Sequence, residues 1–243
     1  MSDRDGQHRP MCYADSMRRA EAEIARLFKE ASLQALPYDF DVGALYRRSI
    51  KQKVPIARPT GDADGEIQIE RALWDLIPSG KSKPFLRANA RSDALRTKWP
   101  WKLLLRRRCI VPADGFYEPE KPAMAKGTVP WSFYQLESGK PFFFAGLFNE
   151  TKDPDTGEMV TSYTIITTDA NKLVASRKHN RMPVILHPSD AHEWLFADDL
   201  PEHLLKPYPA NEMIGHRVAD RVKNRREPDG PDFVEPVEDQ AVA

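Results

Sequence analysis

What most constrains this chain is a succession of extended segments with no long helix between them. Trp131 to Leu136, Phe142 to Phe148, Ser162 to Thr168 and Met182 to Leu186 are rich in the aromatic and β-branched residues that suit a pleated, half-buried surface. An Asp-Pro-Asp-Thr-Gly turn at 153–157 joins the second and third. Upstream, Ile67 and Ile69 alternate as strand positions behind a Gly- and Asp-rich loop at 59–65, and Trp74 to Pro78 reads as a short buried strand ending at its proline. Strands that follow one another without helical crossovers pair antiparallel, so the expected class is α+β. The 21 prolines against 12 glycines agree with many rigid, extended connections.

The 243 residues suffice to bury one large core, and a single domain is expected, without internal repeats. Asp15 or Ser16 is the expected N-cap of a first helix whose apolar stripe is Met17, Ala20, Ile24, Leu27, Phe28 and Ala31. Ser189 is the expected cap of a short helix through Trp194 and Leu195, and Leu200 to Leu205 a second short helix. Residues 1–10 are polar and read as an extension outside the fold, either a misplaced start or a leader to be removed; 238–243 read as a disordered tail. Two cysteines, Cys12 and Cys109, make neither a disulfide framework nor a Cys-rich zinc site, so a reducing compartment is expected. No apolar run reaches membrane-spanning length, and no secretory signal is visible, so the expected location is cytoplasmic.

Net charge is zero, but its distribution is uneven. Between Lys81 and Arg108 ten Lys or Arg stand against a single Asp, interleaved with Phe85, Trp99 and Trp101. Arg177, Lys178 and Arg181 form a second cluster, and Arg217, Arg221, Lys223, Arg225 and Arg226 a third. Basic groups neutralise phosphates while aromatic rings offer stacking faces, the pattern of a single-strand groove; a solvated charged face is the alternative.

Several residues carry candidate chemistry. Cys12 follows Met11, and with nothing before it would combine a thiol with a free α-amine, a 1,2-aminothiol that captures aldehydes. Otherwise it is a buried structural thiol. Asn89-Ala-Arg91 offers an amide that donates and accepts beside a guanidinium suited to phosphate, or a loop cap. In the run from Arg108 to Glu118 a Pro-Ala-Asp-Gly turn leads to a carboxylate flanked by Phe116, Tyr117 and Pro119, a setting that desolvates it and suits proton transfer, unless it serves to pair an arginine. His179 alone among six histidines has basic neighbours on both sides at a strand edge, which favours a neutral base, or else a backbone contact. His8, His187, His192, His203 and His216 look like surface or capping residues.

Together, Met11-Cys12, Asn89-Ala-Arg91, Arg108 to Glu118 and His179-Asn-Arg-Met-Pro183 resemble the SRAP family, the SOS response-associated peptidases that crosslink to abasic DNA. The resemblance runs from Met11 to about Val237 and includes Trp74-Asp-Leu-Ile-Pro78. It implies a largely antiparallel, barrel-like β core flanked by short helices, spanning 11–237. It also implies that Cys12 joins the ring-opened aldehyde of an abasic site as a thiazolidine, that Asn89 positions its amine, and that Glu118 and His179 manage protons. Arg91, Trp74, Arg87, Arg177 and Arg181 would contact single-stranded DNA. Autopeptidase removal of the residues before Cys12, lyase activity, a monomeric state, a nucleoid association and no cofactor or metal complete the expectation.

Three departures bear on strength and lesion preference. Tyr13 and Ala14 stand where the family opening usually continues Gly-Arg, Pro119 where an aromatic often follows the glutamate, and Asp75 where the family has Gly between Trp and Leu. The competing readings are a noncovalent single-strand binding module and a thiol hydrolase using Cys12 and His179.

Overall fold

The computed structural model describes residues 14–19, 21–40, 44–61, 63–79, 87–120, 130–153, 155–224 and 226–237. The expectations for Cys12, Tyr13 and Lys81 to Leu86 lie outside these residues.

Chain order runs β1 Ala14–Met17, α1 Glu21–Glu30, β2 Gln34–Ala35, β3 Leu45–Ser49, β4 Lys53–Pro59, β5 Glu66–Trp74, β6 Asn89–Arg91, β7 Arg108–Ala113, β8 Gly115–Pro119, β9 Trp131–Leu136, β10 Phe142–Lys152, β11 Met159–Asp169, α2 Lys172–Ser176, β12 Arg181–Pro183, β13 Ile185–Leu186, α3 Pro188–Phe196 and β14 Met213–Val218. Strands β10, β7, β4 and β5 pair antiparallel in that order. The ring closes through β11, antiparallel to β10 and parallel to β5 at Ser162↔Leu73 and Tyr163↔Trp74. A closed five-stranded barrel results, which removes the edges an open sheet would expose. A second sheet has the order β14-β9-β8-β1-β3, all antiparallel.

Period-2 alternation builds the core. Along β10, Phe143, Ala145 and Leu147 pack with Ile24, Leu27 and Phe28 of α1 and Trp194 of α3, while Phe142 and Phe144 join Trp74, Cys109 and Tyr163 on the other face. Phe116 and Tyr134 of the second sheet pack into that latter cluster. The opposite face of the second sheet holds Tyr117, Trp131 and Phe133 against Val222 and Phe233. The corner at Asp114–Gly115 therefore does not form a hairpin; it carries the chain out of the barrel and into the second sheet.

Local expectations hold where the signal is local. The strands at 131–136, 142–152 and 159–169 cover the expected segments, with Gly157 at φ 74° in the turn between the last two. The first helix starts later than expected, at Glu21; Asp15 and Ser16 lie in β1, wedged between β8 and β3, and cap nothing. Tertiary pairing overrides the helical stripe at Met17, while Ile24, Leu27, Phe28 and Ala31 are buried as the stripe requires. Trp74 closes the nine-residue β5 and does not open a separate strand. His187 takes the N-cap position of α3 without a side-chain cap hydrogen bond, and Pro188 follows, so Ser189 lies inside the helix. Residues 202–204 form one 3₁₀ turn. No helix among the described residues is long and apolar enough to cross a membrane.

Candidate functional site

Glu118 and His179 meet where the barrel and the second sheet join. Glu118 pairs across to Ser132 on the face that carries Phe116 and Tyr134, so its side chain points toward the barrel, 1% exposed. His179 comes from the segment between α2 and β12, with Nε2 3.4 Å from Glu118 Oε2. Its Nδ1 lies 2.7 Å from the Arg181 carbonyl oxygen. A carbonyl only accepts, so Nδ1 carries the hydrogen, and Nε2 is the nitrogen that faces Glu118. At 3.4 Å the pair is longer than a formed hydrogen bond of about 2.9 Å. No group of three or more metal-ligating side chains occurs among the described residues.

Asn89 and Arg91 reach the same end of the barrel. Their strand, β6, lies parallel to β11 with Asn89↔Ile165 and Thr167↔Arg91, while β12 pairs on β11's other edge at Thr167↔Pro183. The C-terminal end of β11 thus separates the Asn89 strand from the segment that follows His179. Arg91 is exposed and grips Asp93 with two hydrogen bonds, Nε to Oδ1 at 3.0 Å and Nη2 to Oδ2 at 2.6 Å.

The other expected DNA contacts divide. Arg177 donates from Nη1 to Glu120 at 3.2 Å and keeps partial exposure. Arg87 is half-buried, stacks over the Trp99 ring at 5.2 Å, and its backbone N–H donates to Asp75 at 2.7 Å. Asp75 thereby anchors the backbone at Arg87, two residues before β6.

Trp74 is corrected: fully buried, it stacks on Tyr163 and donates its indole N–H to the Ala88 carbonyl at 2.9 Å, so it presents no face to a base. Arg181 is corrected too. It is 3% exposed, with Nη1 on Asp169 at 3.1 Å and Nη2 on the Thr167 carbonyl. It ties β12 to β11 and holds the carbonyl that orients His179.

Several members of the basic clusters are engaged within the protein. Arg108 is buried on the carbonyls of Trp194, Leu105 and Ala197, and Arg96 pairs with Asp199 and Glu202. Arg221 pairs with Asp232 and Lys223 with Asp220. Cys109 is buried against Gly146, and burial pushes its thiol far above the ordinary range, so it is inert.

Two carboxylate sites were not legible in the sequence, where Glu120 gave no signal and Asp15 read as a helix cap. Glu120 gathers Arg177, Arg217 and Ser132. Asp15 is buried beside Arg48, whose Nε donates to Oδ1 at 2.5 Å and whose Nη2 donates to the Pro112 carbonyl at 2.7 Å. Cross-strand pairing across distant segments creates both.

A barrel that opens onto a buried carboxylate–histidine pair, with an amide and a guanidinium on the neighbouring strand, defines a class. The model of the SOS response associated peptidase (SRAP) family matches residues 11–225, and this chain belongs to that family. Among its relatives are the abasic site processing protein YoqW of Bacillus subtilis, 36% identical over 69% of this chain and 76% of YoqW, and the abasic site processing protein HMCES of Xenopus tropicalis, 32% identical over 68% of this chain and 57% of HMCES. A crystal structure of a protein from Bacteroides thetaiotaomicron superposes with a TM-score of 0.72 at 23% identity, covering 93% of this chain and all of that one, which speaks for the fold alone.

Proposed function

We propose that this protein processes abasic sites in single-stranded DNA by forming a covalent thiazolidine through Cys12, after removal of the residues that precede it. The unit responsible spans 11–237, and its names among relatives, abasic site processing proteins, point to the same substrate. The single observation that carries the reading is the buried His179–Glu118 pair, whose carboxylate lies on the strand that pairs with the start of β1.

Connectivity supports it. Ala14, the first residue of β1, pairs with Tyr117, the neighbour of Glu118. Cys12 precedes Ala14 by two residues in the sequence. An abasic sugar rests mainly as a closed hemiacetal. A group that removes the proton of its anomeric hydroxyl while another protonates the ring oxygen opens it to the aldehyde. The Cys12 amine then adds to the carbonyl and water leaves, giving an imine. The thiol adds to the imine carbon, its proton passes to the nitrogen, and the ring closes. Glu118 and His179 exchange the protons; Asn89 holds the amine; Arg91, Arg177 and Arg87 engage the backbone or bases. While a residue remains attached to Cys12, there is no free α-amine, so self-cleavage at the preceding peptide bond comes first.

The test is denaturing electrophoresis after mixing protein that begins at Cys12 with a uracil-excised oligonucleotide. A band that survives heat and detergent, and is absent for Cys12→Ala, is the expected result. No adduct from the wild type would end the crosslinking reading.

A further inference from the structure

Just beyond β8, two residues past Glu118, the carboxylate of Glu120 receives four hydrogen bonds. Arg217 donates from Nε to Oε1 at 3.0 Å and from Nη2 to Oε2 at 2.8 Å. Arg177 donates from Nη1 to Oε1 at 3.2 Å, and Ser132 from its hydroxyl to Oε1 at 2.8 Å. A bidentate fork, a second guanidinium and a hydroxyl converging on one point are the donor set of a phosphate site. Two guanidinium groups this close need an anion between them. Burial would raise the Glu120 carboxyl, but the hydrogen bonds from Arg217, Ser132 and Arg177 outweigh it and hold the group below its ordinary value, so Glu120 is that anion.

The placement points to DNA. Glu118 pairs with Ser132 and Ser132 with Arg217, so the cup lies in the same cross-strand row as the proton-exchanging carboxylate. It also keeps a way to solvent: Arg177 and Arg217 are about a quarter exposed, at 24% and 25%, and Glu120 is 10% exposed. Arg91 is closed in the same manner by Asp93 on the other strand of the site.

We propose that this cup seats a phosphodiester of the strand being processed, and that Glu120 occupies the seat until DNA displaces it. The inference rests on the DNA reading above. Carboxylate and phosphodiester each bring one negative charge, so the exchange leaves the cup's charge unchanged while Glu120 moves to water. Glu120 therefore lowers the noncovalent hold on any strand, and it does so without touching the proton-transfer pair.

Fluorescence anisotropy with a lesion-free single-stranded oligonucleotide tests this, using wild type, Glu120→Gln, Glu120→Ala and Glu120→Gln/Arg217→Ala, each checked by thermal melting. With the seat unblocked, both single variants should bind about tenfold more tightly. The double variant should lose that gain. Folded Glu120 variants that bind no more tightly than wild type would overturn the latch while leaving the DNA reading intact. A wild type that neither binds the strand nor forms an adduct with an abasic one would instead remove the DNA reading, and the latch with it.

Discussion

The main chain decides what His179 can do. With Nδ1 committed to the Arg181 carbonyl, Nε2 is the nitrogen that faces Glu118. Glu118→Gln keeps the shape but cannot pass a proton. Its noncovalent binding of single-stranded DNA should match wild type, while removal of the residues before Cys12 slows by about a hundredfold, the range general acid–base groups contribute. Intact mass spectrometry over time reads the step directly, and an unchanged rate would show that Glu118 moves no proton there. At this scale the residue types were legible: a carboxylate among aromatics and a histidine before a strand. Their burial and contact were not, because Trp74 and Arg181, equally suggestive as letters, turned out to satisfy their polar groups inside the protein.

Between elements, one joint locks β8 to β9 within the second sheet and another ties that sheet to the barrel. Gly115 begins β8, where an added Cβ would come within 2.1 Å of the Phe133 ring and 3.0 Å of the Tyr134 carbonyl. Phe133 is fully buried, so it cannot yield cheaply. Gly115→Ala should cost about 1–3 kcal/mol in urea unfolding, as overpacked sites do, and a cost near zero would mean that β8 and β9 can slide apart.

The second joint is Asp15 on β1, bonded to Arg48, which reaches the Pro112 carbonyl of β7. Burial pushes the Asp15 carboxyl up to about 6, more than the charge and hydrogen bond of Arg48 pull it down. The folded protein therefore keeps a proton there that the unfolded chain releases near its ordinary 3.8. Stability from this group is complete below about 4 and is lost as pH rises through about 6, by on the order of 1–3 kcal/mol. Urea unfolding of wild type and Asp15→Asn at several pH values should show the wild type losing ground to the variant across that window and holding level above it. A difference running the other way would mean that Arg48 outweighs burial. Neither joint was visible beforehand, since Asp15 and Ser16 read as a helix cap until β1 was seen paired on both edges.

The whole molecule carries no net charge, so DNA binding has to come from local cups and not from a general field. With about three phosphates engaged, at Arg91, Arg87 and the Arg177–Arg217 pair, log affinity for an undamaged single strand should fall with log salt at a slope near −2. That is about sixteenfold between 50 and 200 mM. Gel shift across that range checks it, and a flat dependence would assign the clusters to structural ion pairing alone. An adduct already formed should survive the same salt, because a covalent bond does not respond to screening.

By itself the sequence determined the strand segments at 131–136, 142–148 and 162–168, the turn at 153–157 and the motifs that place the chain in its family, because these depend on residues within a few positions of one another. Alternation, glycine and proline act locally. Only the tertiary structure decided which charges remain available. Whether an arginine meets DNA or a carbonyl, and whether a tryptophan faces a base or Tyr163, depends on segments that barrel closure and the second sheet bring together from far along the chain. Burial and pairing belong to those juxtapositions, so a run of basic residues that looked like one groove became structural ion pairs, buried ties and a few seats closed by carboxylates.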